Sequence, residues 1–240
     1  MYRTSLFALI AMIPLAYGDQ PDSVDRTTIV ETLSENSTGH LMLAQTEPNP
    51  VSGRFELGKH YQRLSPTQPT SSSPDQIEVA EIFWYGCPHC YTFDPFLESW
   101  RPDLPSYVNF IRVPAVWNPL LQMHARAFYA AEVLGKSEEM HISFFREIHV
   151  NGNFLDSEES LASFFDQFGV SRDEFQNAYN SFAVHAKLQR ADELSRRYRV
   201  ASVPMVVING KYTTSASEAG GYPTLIELID ELVAMEANDN

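Results

Sequence analysis

The 240-residue chain reads as an α/β protein in which an all-helical block interrupts an alternation of strands and helices. Three observations predict this. Ile77 to Tyr85 (IEVAEIFWY) is β-branched and aromatic, the mark of a buried strand, and a helical pattern and a second strand follow it. Residues 118–199 then carry apolar side chains at helical spacing. Finally Pro204 to Ile208 (PMVVI) is an apolar strand that runs into Asn209-Gly210, a hairpin signal because both turn positions need positive φ.

In chain order, residues 1–18 (MYRTSLFALIAMIPLAYG) look like a secretory signal peptide. Arg3 gives a positive start, Leu6 to Ala16 is an apolar run of the right length, and Ala16-Tyr17-Gly18 supplies small residues for cleavage. No apolar run reaches the roughly 20 residues that a bilayer-spanning helix needs, so stable membrane insertion is not expected. Residues 19–55 are polar and without period and read as a disordered tail. Lys59 to Leu64 fits a short edge strand, and SPTQPTSSSP (65–74) a spacer.

Gly86 ends the first long strand, and Cys87 to Trp100 reads as a helix with Pro88 in its first turn, where a missing N–H costs little. Pro95 should bend that helix. Tyr107 to Val113 is the next strand. Within the helical block, Leu120, Met123, Ala127, Ala131 and Leu134 repeat at helical spacing before Gly135. Asp156-x-x-Glu159 and Ser171-x-x-Glu174 resemble capping boxes. Lys211 to Thr214 returns as the partner strand of the hairpin, and Thr224 to Met235 is a final amphipathic helix.

Composition excludes several functions. There are 31 acidic and 17 basic residues, a formal net charge of −14, so a nucleic-acid-binding domain is not expected. Two cysteines cannot build a disulfide-rich scaffold or a four-thiolate zinc site. Only His residues are left to supply further ligands; His141 and His149 are eight apart and nothing in the sequence pairs them with the cysteines, so no metal is expected.

The two cysteines form Cys87-Pro88-His89-Cys90, placed where a strand ends and a helix begins. At a helix N-cap, free backbone N–H groups and the positive dipole end favour an anion. Cys87 should therefore be a thiolate near neutral pH, and the two-residue spacing lets Cys90 reach back to it. His89 either adds positive charge beside the sulfur or stands by on an exposed loop. Each unit of thiol depression stabilises the reduced form by about 1.4 kcal/mol. Stabilising the reduced form makes the disulfide a stronger oxidant, and a low thiol pKa makes Cys87 a good leaving group.

FWYGCPHCYTF (83–93) and SVPMVVINGKY (202–212), with the helical block between them, resemble the DsbA-type thiol:disulfide oxidoreductases of the bacterial periplasm. The resemblance spans roughly residues 56–236. It implies a thioredoxin-like fold, formed by residues 56–117 and 195–240, with an inserted all-helical domain at 118–194. It implies a cis Val203–Pro204 bond facing Cys87, with the Val203 backbone pairing to an extended substrate. Glu81 falls where the family has a buried acid beneath the active site, a candidate proton relay. The alternative is a strand-edge Glu that reaches solvent or pairs with Arg112.

The activity implied is a protein dithiol oxidase that passes its Cys87–Cys90 disulfide to reduced, unfolded secreted proteins, with a mixed disulfide at Cys87. No cofactor beyond that redox-active disulfide is implied. Reoxidation would come from a DsbB-type membrane quinone-linked oxidase. A reductase or isomerase of the same fold, or a Cys/His metal-binding protein, are the competing readings.

Overall fold

The structure is a computed structural model and describes residues 53–239. The expected signal peptide and nearly all of the expected tail lie outside the described residues. Phe55, the last residue assigned to that tail, is instead buried, in the same apolar cluster as the C-terminal helix.

The elements follow in order. β1 (Gln62–Arg63) is a two-residue edge strand, and β2 (Ile77–Phe83) is buried at all seven positions. α1 (Pro88–Trp100) starts at Cys87 as its N-cap and carries Pro95 in its interior without ending there. β3 (Val108–Pro114) follows. Five helices come next: α2 (Pro119–Val133), α3 (Ser137–His149), α4 (Glu158–Asp166), α5 (Arg172–Tyr179) and α6 (Phe182–Arg197). β4 (Met205–Ile208), β5 (Tyr212–Thr214), the single turn α7 (Ala216–Ala219) and α8 (Tyr222–Asp239) complete the chain.

Local chemistry sets the helix starts. Asn118 caps α2 by accepting from the Leu121 N–H, with Pro119 at the first helical position. Ser171 and Glu174 form the expected capping box of α5. The box of α4 lies one residue later than the sequence pattern suggested. Ser157 and Ser160 exchange the bonds, because Ser160 serves at the third helical position in place of Glu159.

The sheet order is β1-β5-β4-β2-β3. β2 and β3 are parallel, joined by the α1 crossover, and the other pairings are antiparallel. β2 lies between β3 and β4, so Glu81 is in mid-sheet, opposite Arg112 on one side and Val206 on the other. The strand-edge reading of Glu81 is thereby corrected: it is 1% exposed and does not reach solvent.

Two apolar clusters cover the sheet. Ile77, Val79, Val206 and Ile208 pack with Phe93 and Leu97 of α1 and with Leu225, Leu228 and Ile229 of α8. Ala80, Ile82 and Val207 belong to a larger cluster with Phe128, Phe145, Phe165 and Tyr198 of the helical block. Each fully buried side chain of this kind contributes about 1.5–3 kcal/mol. These packings fix the end of β2 and the head of α1 relative to the strand that begins at Met205.

The β4–β5 turn has Asn209 at φ 50° and Gly210 at φ 61°, the primed geometry expected of Asn-Gly. A Cβ on Gly210 would lie 2.0 Å from the Gln68 carbonyl oxygen, whose own residue donates its N–H to the Gly210 carbonyl. Gly210→Ala therefore combines a left-handed backbone with a backbone clash and should destabilise the protein by at least about 1–2 kcal/mol. A urea denaturation midpoint unchanged from the native chain would contradict this packing.

Candidate active site

Cys87 leaves the strand end in an extended conformation (φ −88°, ψ 118°) and caps α1, with Pro88 at the first helical position. Its N–H donates to the Trp84 carbonyl at 3.0 Å, and its carbonyl accepts from Tyr91 N–H at 3.1 Å. The Trp84 ring lies over Gly86, where a Cβ would come within 2.2 Å of it. Any side chain at position 86 would therefore displace the indole beside the first cysteine. Both cysteines are thiols here; Cys87 is 8% exposed and Cys90 fully buried.

The two sulfurs have opposite acidities. The Cys87 thiol is lowered from 9.0 to about 6, first by a hydrogen bond from Cys90, against the cost of its burial. Backbone N–H groups of Cys90 and His89 and the charge of His89 add to the lowering. The helix-head donors predicted from sequence are thus present but second to the neighbouring thiol. Cys90 is pushed far above the ordinary thiol range by burial, by its bond to Cys87 and by the charge of Glu81.

The Val203–Pro204 bond is cis, and the Cys87 Sγ lies 3.5 Å from the Val203 carbonyl oxygen. His89, Ser202, Val203, Pro204, Ser215 and Tyr222 are among the residues lining a groove of ≈ 540 Å³. His89 is exposed, in hydrogen-bond contact with the Tyr222 hydroxyl. The residues singled out in the sequence (Cys87, Pro88, His89, Cys90, Val203 and Pro204) therefore come together around one sulfur. Glu81 is below them in β2.

Glu81 does pair with Arg112, whose Nε donates to its carboxylate at 3.1 Å. The same guanidinium donates to Asp94 at 3.1 Å and to Glu98 at 2.6 Å. One cation thus faces three carboxylates, two of them 1% exposed. Full ionisation would leave uncompensated negative charge in a dry site. Burial accordingly raises Glu81 from 4.5 to about 7, with Asp94 and Glu98 adding to the rise and Arg112 opposing it.

Asp94 also meets His141 at 2.9 Å, and the other ring nitrogen of His141 is 2.9 Å from the Tyr85 hydroxyl. His149 donates to the Tyr85 carbonyl at 2.8 Å and stacks on Tyr91. Asp94, His141, Tyr85 and Tyr222 were not recognised in the sequence. Asp94 had a signal: Cys90, Asp94 and Leu97 share the buried stripe of α1. His141 reads from the sequence only as a metal-ligand candidate. Among the described residues, no three His, Cys, Asp or Glu side chains cluster as metal ligands would.

A dithiol of split acidity at a helix head, facing the Val203 carbonyl that precedes Pro204, defines a thiol–disulfide exchange protein. Residues 103–225 match the family model of the DSBA-like thioredoxin domain. That segment begins after Cys90, so it reports the scaffold independently of the motif. A thiol:disulfide interchange protein DsbA of Azotobacter vinelandii is 38% identical over 182 residues, covering 76% of this chain and 85% of the relative. The crystal structure of Pseudomonas aeruginosa DsbA is 37% identical with a TM-score of 0.74, over 77% of this chain and 96% of that one. That of the oxidoreductase DsbA from Xylella fastidiosa is 31% identical with a TM-score of 0.70, over 75% and 96%. The chain belongs to the DsbA family of thiol:disulfide interchange proteins, and its fold is thioredoxin-like with a helical insertion.

A carboxyl raised by folding lowers stability as pH climbs from its unfolded value of 4.5 through about 7, since the unfolded state ionises first. In the oxidised protein, where Cys87 has no proton to titrate, Glu81→Gln should flatten the fall in stability between those pH values. It should also be more favourable to stability at pH 8 than at pH 4.5. Urea denaturation at both pH values checks this; an effect equal at the two, or larger at pH 4.5, would contradict a raised Glu81.

Proposed function

We propose that this disulfide oxidoreductase works as an exported dithiol oxidase, donating its Cys87–Cys90 disulfide to reduced, unfolded secreted proteins in the periplasm. A substrate thiolate attacks the Cys87 sulfur. The Cys87–Cys90 bond breaks, and Cys90 leaves with the electron pair and takes up a proton. A second substrate thiolate attacks the substrate sulfur of the mixed disulfide, and Cys87 leaves as a thiolate. The substrate gains one disulfide and gives up two electrons, which reside on the reduced Cys87 and Cys90.

The observation that carries this reading is the split acidity of the two sulfurs. With its thiol at about 6, Cys87 holds about ten thiolates per thiol at pH 7, stabilising the reduced form by about 1.4 kcal/mol or roughly 30 mV. That stabilisation is complete above the ordinary thiol value of 9.0 and is lost as pH falls through about 6. Cys90, held protonated, is a poor nucleophile toward the mixed disulfide. The intermediate therefore persists until the substrate's second thiol resolves it.

Other groups take supporting roles in the same reading. Glu81, near half-ionised at pH 7 and held by Arg112, supplies or accepts the Cys90 proton. Pro88 sets the first turn, and His89 lends charge to Cys87. The Val203 carbonyl and Pro204 form the seat along which an extended substrate pairs. Residues 118–194 act as an inserted helical domain and residues 1–18 as the export signal. A DsbB-type membrane quinone-linked oxidase restores the disulfide, and the pair itself serves in place of a cofactor.

Cys87→Ser should reduce oxidation of a reduced, unfolded test protein to the uncatalysed rate. Cys90→Ser loaded at Cys87 as a mixed disulfide with glutathione should exchange glutathione for the thiolate of a single-cysteine test protein, giving a protein mixed disulfide at Cys87 seen by non-reducing electrophoresis and mass spectrometry. Appreciable turnover in Cys87→Ser, or no transfer from Cys87 in the loaded Cys90→Ser variant, would overturn the assignment.

A further inference from the structure

Tyr222 is the first residue of α8, 133 residues beyond His89, yet its hydroxyl meets that histidine twice. It lies 3.2 Å from the His89 carbonyl oxygen and 3.4 Å from His89 Nδ1. A phenol has one proton and also accepts, so one arrangement satisfies both contacts. The hydroxyl donates to the carbonyl and accepts from the Nδ1–H. That arrangement requires the Nδ1-protonated ring, whether neutral or imidazolium, and fixes its orientation.

The ring of Tyr222 is itself anchored. It stacks on Phe93 and Phe96 of α1, with centroids 5.5 and 5.7 Å away and interplanar angles of 20° and 27°. It also forms part of the groove wall beside Val203 and Pro204. Burial, and then the charge of Cys87, hold its phenol above the ordinary tyrosine value, which keeps it a neutral donor.

We infer that Tyr222 is a positioning residue: it clamps the ring and the carbonyl of His89 at the head of α1, so that the His89 dipole and charge remain directed at the Cys87 sulfur. This rests on the reading of Cys87 as the exchanging thiolate. His89 is exposed and sits on the first turn, so without a clamp it would sample several rotamers and its field at the sulfur would average down. The clamp comes from the C-terminal helix, which couples the packing of α8 on α1 to the acidity of the Cys87 thiol.

Tyr222→Phe keeps the stacking and the groove wall and removes only the hydroxyl. In the full chain, reduced, the thiolate absorbance transition of Cys87 should move up by about half a unit. The equilibrium with glutathione at pH 7 should shift about two- to threefold toward the disulfide. In a His89→Ala background the same substitution should produce less than half of each shift, because the group it acts through is gone. No upward shift in the native background, or one that survives at more than half its size without His89, would overturn the inference. A native protein whose Cys87 titrates as an ordinary thiol would instead overturn the underlying reading, so the two failures are distinguishable.

Discussion

The structure depends on an inequality between two sulfurs three residues apart. Cys87 stands at a helix head, where it accepts from the Cys90 thiol and from two backbone N–H groups, while Cys90 is sealed under the sheet end. A shared hydrogen bond cannot favour both thiolates, so the first proton leaves from Cys87 and the second is retained. Everything nearby maintains that inequality. Trp84 covers Gly86, α3 grips the Tyr85 carbonyl through His149, and the apolar side of α1 is fixed by α8.

Beneath the sulfurs, the Arg112 cluster is an unusual expense for a mid-sheet position. Replacing a buried ion pair by apolar residues is often neutral or stabilising, so its presence argues for a role other than stability. One guanidinium among three carboxylates leaves a site whose proton count changes near neutral pH. The carboxylate charge of Glu81 also acts on the buried Cys90 sulfur, pushing its pKa up.

Much of this was legible in the sequence, for identifiable reasons. β-branched runs marked β2 and β4, and Asn209-Gly210 marked the β4–β5 hairpin, because these signals are local. The cysteine pair was legible because strand end, helix start and spacing coincide in ten residues. The Ser157 cap was displaced by one residue since serine serves at both ends of the box, a choice that a search for Glu passes over. Glu81 stood out as a charge inside an apolar run with Arg112 as a candidate partner, but the other carboxylates on that guanidinium did not. Asp94 and His141 are 13 and 60 residues away, and the fold brings Asp94 to the guanidinium and His141 to Asp94. Tyr222 is farther still, and a tyrosine opening a C-terminal helix carries no signal of its neighbour.

The account's central claim is most directly tested by the ultraviolet thiolate absorbance of the reduced protein as a function of pH. A single thiol should ionise with a midpoint near 6, and the other should stay protonated throughout the accessible range. Two thiols ionising together near the ordinary value of 9.0 would contradict the split environment on which the site, the exchange chemistry and the role of the surrounding residues all depend.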